Sequence, residues 1–302
     1  MITEFLSSLL FFIARLISFL PLSWLYGISR FIAFILRRVV NYRRNVIIQN
    51  LSRSFPDLKY KEINSLANKF YLHFTDVFIE VIKSISFSGN NLRKRFRVEN
   101  PELLIKYYQE NRNIIGLTGH VANWEWMTII PSLFPFNCYT LYKPLKSKIA
   151  ERIMTRIRHH FGMKLLPMSN AARFILSNKN SQSLYIFIGD QSPAKVENAS
   201  EFIFLNQRTT FFTGGAKLAR ATGAAVVYIS INRIKRGYYS VKFIPIEVNS
   251  FDNEVSQLES TIGTKQHKDI ETQILSAYSS LLESDIIANP VDWLWSHKRW
   301  KH

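Results

Sequence analysis

His120 and Glu125 stand five positions apart in Asn113-Ile-Ile-Gly-Leu-Thr-Gly-His120-Val-Ala-Asn-Trp-Glu125-Trp, directly behind an apolar run. A histidine steadied by a carboxylate can take the proton of a hydroxyl, so that the oxygen attacks an acyl carbonyl such as a thioester. The pattern therefore points to acyl transfer, with His120 as general base and Glu125 orienting the ring and stabilising its charged form. Positions i and i+5 lie about 140° apart on an ideal α-helix, so the two side chains cannot share one helical face. His120 is expected in a turn, with Glu125 one turn inside the helix that follows. Gly119 permits that turn, and the first amides of the helix are candidates for holding an oxyanion. The spacing also fits a histidine that merely caps a helix beside a solvated glutamate. No His-Glu-x-x-His arrangement or cysteine pair accompanies it, so neither a metal nor a cofactor is expected.

The elements that must position this pair can be read from the periodicity. Tyr60 to about Ile85 carries apolar residues at three- and four-residue steps and predicts a long helix. Beyond Gly89-Asn90-Asn91 short apolar runs alternate with helical ones. Ile114–Leu117, Tyr139–Tyr142, Leu184–Ile188, Ala224–Ile231 and Tyr239–Ile246 read as strands; 122–133, 147–160, 169–178, 213–222 and 252–283 read as helices. The alternation predicts an α/β sandwich, a mostly parallel sheet flanked by helices. In such folds ligands gather where strands end and helices begin. Asp190 and Gln191 follow one strand at such an end, although Asp-x-Ser-Pro also makes an ordinary turn. Thr213-Gly214-Gly215 reads as a helix start packed closely on a strand, since it lacks the Gly-Lys-Ser/Thr of a phosphate loop. Trp293 and Trp295 read as packing residues, with the role of Arg299 left open.

Residues 1–40 are nearly all apolar and are expected to form a membrane-anchoring helix ahead of one catalytic domain, 41–302. Sixteen helical residues before Pro21 reach about 24 Å, short of a ~30 Å hydrocarbon core. A spanning helix, a re-entrant pair and an interfacial amphipathic helix all fit the segment. Arg37, Arg38, Arg43 and Arg44 just downstream place that flank in the cytoplasm and suit anionic headgroups. The chain carries 39 Lys and Arg against 22 Asp and Glu, a net +17. Such a balance suits an anionic membrane or an acidic carrier protein. The bases are dispersed and no nucleic-acid-binding motif is present, so nucleic acid is not an expected partner. The single cysteine, Cys138, rules out an internal disulfide and reads as a small buried side chain.

Five further segments occur in a fixed order with His-x4-Glu. Tyr42-Arg43-Arg44 and Asn50-Leu51-Ser-Arg-Ser-Phe55-Pro56 precede it. Gly189-Asp190-Gln191-Ser192-Pro193, Thr213-Gly214-Gly215-Ala216-Lys217 and Pro290-Val-Asp-Trp-Leu-Trp-Ser-His-Lys-Arg-Trp-Lys301 follow. From about residue 5 onward the chain resembles the late acyltransferases of lipid A biosynthesis, a branch of the lysophospholipid-type acyltransferase superfamily. The resemblance implies a single-pass or monotopic inner-membrane enzyme facing the cytoplasm. It would move an acyl chain from acyl carrier protein onto a hydroxyl of an acylated glucosamine disaccharide. It also implies His120 and Glu125 as the catalytic pair, Arg156 as a basic substrate residue with Arg158 as its neighbour, and Asp190 as a second acidic site residue. Lys143, in Tyr142-Lys143-Pro144, stands where the family often has arginine, keeping the charge but losing a bidentate fork. Pro290-Val-Asp replaces the more usual Pro-Glu-Gln. Rival readings are an acyl-CoA-dependent acyltransferase for another glycolipid, such as a phosphatidylinositol mannoside, and a non-catalytic basic protein of the membrane surface. A lysophosphatidate acyltransferase fits less well, because the Phe-Pro-Glu-Gly phosphate motif is missing.

Overall fold

The computed structural model describes residues 2–193, 199–248 and 263–300. Two helices, α1 (Ile2–Ser18) and α2 (Leu22–Arg38), open the chain, followed by α3 (Arg44–Ser54) and α4 (Tyr60–Ser84). A short α5 (Gly89–Arg93) leads into β1 (Phe96–Val98), α6 (Pro101–Gln109) and β2 (Ile114–Thr118). A 3-10 segment, Trp124–Ser132, then leads to β3 (Asn137–Tyr142), α7 (Lys148–His159), β4 (Lys164–Pro167), α8 (Met168–Ser177) and β5 (Ser183–Ile188). The chain closes with β6 (Ala199–Phe204), β7 (Gln207–Phe212), α9 (Gly214–Thr222), β8 (Ala225–Lys235), β9 (Tyr238–Pro245) and α10 (Gly263–Ala288).

Seven strands form one sheet in the order β1-β9-β8-β2-β5-β3-β4. From β8 to β4 every pairing is parallel; only β8–β9 is antiparallel, and β1 follows β9. The expected mostly parallel α/β sheet is therefore present. β2 reads Ile-Ile-Gly-Leu-Thr with every residue buried, as a strand covered on both faces requires. α9 lies close on that strand: a Cβ at Gly215 would come within 2.9 Å of Leu117 Cδ2. Cys138 is buried on β3, where burial pushes its thiol up to about 12.

Two expectations change, and a third lies partly outside the described residues. The helix expected over 122–133 is a 3-10 segment starting at Trp124, with Asn123 as its cap and Pro131 inside it. β6 and β7 form a separate antiparallel hairpin that the strand pattern did not suggest. Its two loop residues, Leu205 and Asn206, both have positive φ, the signature of a type I′ turn. Residues 252–262 of the expected late helix lie outside the described residues; the helix is present over Gly263–Ala288.

The single anchoring helix is also replaced. α1 and α2 have 17 residues each, and the chain bends by 118° between them. Among the described residues, no single helix is long and apolar enough to cross a membrane. Both helices lie on the body of the protein through α4 and α7. Their packed face is the weaker apolar one. On α2 it carries Leu25, Ser29 and Ala33, while Trp24, Ile28 and Phe31 face outward. On α1 Phe5, Leu9, Phe12 and Leu16, continued by Phe19 just past its end, form one exposed stripe at steps of three and four, with Phe5 71 % exposed. This inverts the polarity of a surface helix of a water-soluble domain.

Candidate active site

β2 and β5 are neighbours, and Thr118 pairs with Ile188 at their carboxyl ends. Two residues beyond each lie His120 and Asp190, so the parallel register sets them at the same height. Gly189 N–H extends the ladder by donating to the Thr118 carbonyl at 3.0 Å. Asp190 Oδ1 lies 2.6 Å from His120 Nδ1, and its Oδ2 accepts from the His120 amide at 2.8 Å. Trp293 Nε1 donates to the same Oδ2 at 2.7 Å. A carboxylate with no proton of its own can only accept, so Nδ1 carries a hydrogen, and in the neutral ring Nε2 then has the lone pair. Nε2 faces the Gln191 amide at 3.4 Å, and the Trp124 ring stands edge-on to the imidazole at 5.1 Å. Burial by itself raises Asp190. The charge and hydrogen bonds of His120, with the Trp293 indole, outweigh it and hold the carboxyl at about 2.

The close approach needs Gly119. A Cβ there would lie 3.2 Å from Asp190 Oδ2 and 2.7 Å from Leu282 Cδ1. The C-terminal segment then clamps the turn from outside. Ala122 N–H donates to the Asp292 carbonyl at 2.8 Å, and Leu294 N–H donates to that of His120 at 3.1 Å, pairing Val121 with Trp293 in an antiparallel bridge. Ala122 has a φ of 51°, a left-handed conformation that a non-glycine residue holds only when its surroundings enforce it. The segments after the N-terminal helices complete the clamp: Asn50 Nδ2 donates to the carbonyls of Trp295 and His297, and Arg43 to that of Ser296, all at 2.9 Å.

Glu125 does not orient His120. Both of its oxygens are taken by Arg158, at 2.9 Å from Nε and 2.6 Å from Nη2, a bidentate ion pair on the pocket wall. The 3-10 segment carries its carboxylate toward α7 while the ring turns toward β5. Arg156, the base favoured from the sequence, lies elsewhere: it reaches Ser8 Oγ at 3.3 Å and stacks on Phe11 of α1. Two residues on a helix are about 200° apart, so when Arg156 faces α1, Arg158 must face the site. The amides proposed for an oxyanion are partly committed, since Trp126 N–H donates to Asn123 Oδ1 at 3.3 Å and Ala122 N–H to Asp292.

A cavity of about 440 Å³ is lined by His120, and Glu125, Lys143, Arg158 and Gln191 share its wall. Its apolar lining comes from Met127, Leu141, Met163, Met168, Ile186 and Ile188, and Lys143 with Lys146 adds positive charge. The cavity is large enough for a flexible apolar chain, with the base and the cations at its polar part. Among the described residues, no three His, Cys, Asp or Glu side chains come together as metal ligands would. Trp293 is the site residue that reading the sequence missed: an indole in an aromatic, basic tail signals packing, and its N–H found an unforeseen acceptor.

Two relatives match most of the chain. A lipid A biosynthesis palmitoleoyltransferase of Escherichia coli (strain K12) is 20% identical over 266 residues, 88% of this chain and 81% of its own. A lipid A biosynthesis acyltransferase of Shigella flexneri matches at the same identity and coverage. The family model of the bacterial lipid A biosynthesis acyltransferases matches residues 1–302. The geometry of a strand-end histidine beside an apolar cavity and the match over the whole length agree, and the chain belongs to the bacterial lipid A biosynthesis acyltransferase family.

Proposed function

We propose that this protein transfers an acyl chain from acyl carrier protein to a hydroxyl of a lipid A precursor, with His120 as general base. The observation that carries the reading is the His120–Asp190 pair, which turns Nε2 toward Gln191 in a residue that lines a mostly apolar cavity. The acceptor hydroxyl displaces the Gln191 amide from Nε2 and gives up its proton there as its oxygen bonds to the thioester carbon. The tetrahedral intermediate collapses, the C–S bond breaks, and the thiolate takes the proton back from the imidazolium. Asp190 stabilises the charged ring between the two steps. Arg158, fixed by Glu125, supplies fixed positive charge to the oxyanion or to the anionic groups of the acceptor. The apolar cavity holds the acyl chain.

The outward apolar stripes of α1 and α2 support a body that lies on the cytoplasmic face of the inner membrane, the helices sunk to headgroup depth. The excess of positive charge suits the acidic carrier, with steering that weakens as salt rises. Purified protein offered labelled acyl carrier protein or acyl-CoA, with a lipid A precursor in mixed micelles, tests the reading. Ester formation from the carrier-bound chain, abolished in His120→Ala, is the expected result. A preference for acyl-CoA removes the carrier from the proposal, and an active His120→Ala protein of normal fold removes the mechanism.

A further inference from the structure

Behind the catalytic turn, α4 presents a stripe of buried polar side chains that the transfer chemistry does not use. His73, Asp76 and Glu80 follow at steps of three and four and so share one face of the helix. Glu80 has no exposed surface and no cationic partner among the described residues. Three neutral donors converge on it: Tyr26 on Oε1, and Asn123 Nδ2 and Tyr239 on Oε2, each at 2.7 Å. Its own carbonyl accepts from Trp126 Nε1 at 3.1 Å. These donors do not fully offset burial, which pushes the carboxyl up to about 7. For stability alone, a buried carboxylate without a counter-charge is a poor choice beside an apolar side chain.

What Glu80 touches suggests why it is there. Asn123 is three residues beyond His120, and with Nδ2 committed to Glu80 its Oδ1 must accept from the Trp126 amide, as it does at 3.3 Å. About two turns earlier on α4, His73 lies 3.2 Å from the Ala122 carbonyl through Nε2 and 3.2 Å from Arg233 through Nδ1. Arginine can only donate, so Nδ1 accepts and Nε2–H donates to Ala122. Burial and the Arg233 charge hold His73 down at about 3, which keeps it in this neutral form. Ala122, with its left-handed backbone, and Asn123 are thus gripped from the same helix on either side of the peptide that joins them.

We propose that Glu80 is a positioning residue for the catalytic turn. Through Asn123 it fixes where the 3-10 segment begins, and so where His120 and Trp124 stand relative to the cavity. The same carboxylate holds Tyr26 of α2, which ties the turn to the apolar N-terminal helices. The proposal rests on His120 as the base, and a His120→Ala control separates the two.

The test exchanges donor and acceptor across one hydrogen bond. Asn123→Asp sets two carboxylates face to face. Glu80→Gln alone can turn its amide so that the oxygen still accepts from Asn123 and Tyr239 while the NH₂ donates to the Tyr26 hydroxyl, and it serves as the background. The double variant Glu80→Gln/Asn123→Asp restores one donor and one acceptor, because the glutamine amide then donates to the new aspartate carboxylate. Asn123→Asp is expected to lose ~10- to 100-fold in kcat with KM for the acyl donor within about twofold, as misplacement of a base demands. The double variant is expected to recover at least ~10-fold over Asn123→Asp. A kcat for Asn123→Asp within twofold of wild type, or a loss carried by KM, overturns the proposal. So does a double variant that melts like wild type and shows no recovery. If Asn123→Asp does not fold, Glu80→Leu, which removes the carboxylate acceptor from Asn123, must show the same loss in kcat. Retained activity in His120→Ala would instead overturn the base itself.

Discussion

Asp190→Asn asks whether the carboxylate, and not merely something of its shape, makes His120 a base. The asparagine side chain has one acceptor and one donor end. Its amide cannot sit at the Oδ2 position, where it would face two donors, the His120 amide and the Trp293 indole. The oxygen must therefore take that place, and the NH₂ must point at His120 Nδ1. That nitrogen is then forced to accept, the ring hydrogen moves to Nε2, and the atom that should take the proton already carries one. General base catalysis contributes ~10²–10⁴-fold, and the same exchange in serine hydrolases costs ~10⁴ through the wrong tautomer. A loss of ~10³- to 10⁴-fold in kcat is expected, with KM little changed because the cavity is untouched. The assay is steady-state transfer, with ring-nitrogen NMR on the same protein to read the tautomer. An Asp190→Asn enzyme within tenfold of wild type, its hydrogen still on Nδ1, would refute the reasoning. Stability gives a second readout. Asp190 is held at about 2 against an ordinary 3.8, so the folded state favours its ionised form by about 2 kcal/mol. That contribution is complete above about pH 4 and is lost as pH falls through about 2. Asparagine has no such contribution to lose, so the stability gap between the two proteins should narrow by about 2 kcal/mol over that interval, measured by urea melts.

Trp293→Phe removes one of the three donors on Asp190; kcat should fall ~10-fold, and the acid limb of the urea-melt stability curve should move upward as the carboxyl is less held down. Gly119→Ala places a methyl 2.7 Å from Leu282 Cδ1 and 3.2 Å from Asp190 Oδ2; a loss of ~1–3 kcal/mol in stability with a fall in kcat is expected, and a fully active, equally stable protein would count against the close approach. Arg158→Lys keeps the charge but loses the fork on Glu125; activity should drop ~10- to 100-fold, whereas Arg156→Lys should stay within about twofold in the same transfer assay. Phe5, Phe12 and Phe19 changed together to Ser should weaken vesicle partitioning by at least ~100-fold in flotation while leaving the melting temperature within ~3 °C; unchanged flotation would remove α1 from the membrane surface.

The parts of this site that the sequence reveals are those carried by one stretch of chain. A strand followed by Thr118-Gly119-His120, and another followed by Gly189-Asp190, each announce a residue at a strand end, and the alternating pattern implies that the strands are parallel. Which carboxylate meets the imidazole is a different kind of fact. It depends on β2 and β5 being neighbours although β3 and β4 intervene in the chain, and on a register of Thr118 with Ile188. No spacing along the chain encodes that, and the short interval from His120 to Glu125 favours the wrong partner. Arg156 and Arg158 show the opposite case, because the information was local. Ile153, Met154 and Ile157 form the apolar face of α7 toward α1 and α4. The helical angle alone then requires that two bases a pair of residues apart point to different places. Once Asp190 fixes the ring, Glu125 is free to hold a guanidinium instead, and the division has a physical logic. A base needs a partner that accepts at Nδ1 and is closed to solvent, which the strand end provides. A cation that must meet substrate charge needs a partner at the cavity wall, which the 3-10 segment provides. Exchanging the two carboxylates would leave the imidazole in the more exposed pair and the guanidinium in the closed one, where no substrate could reach it.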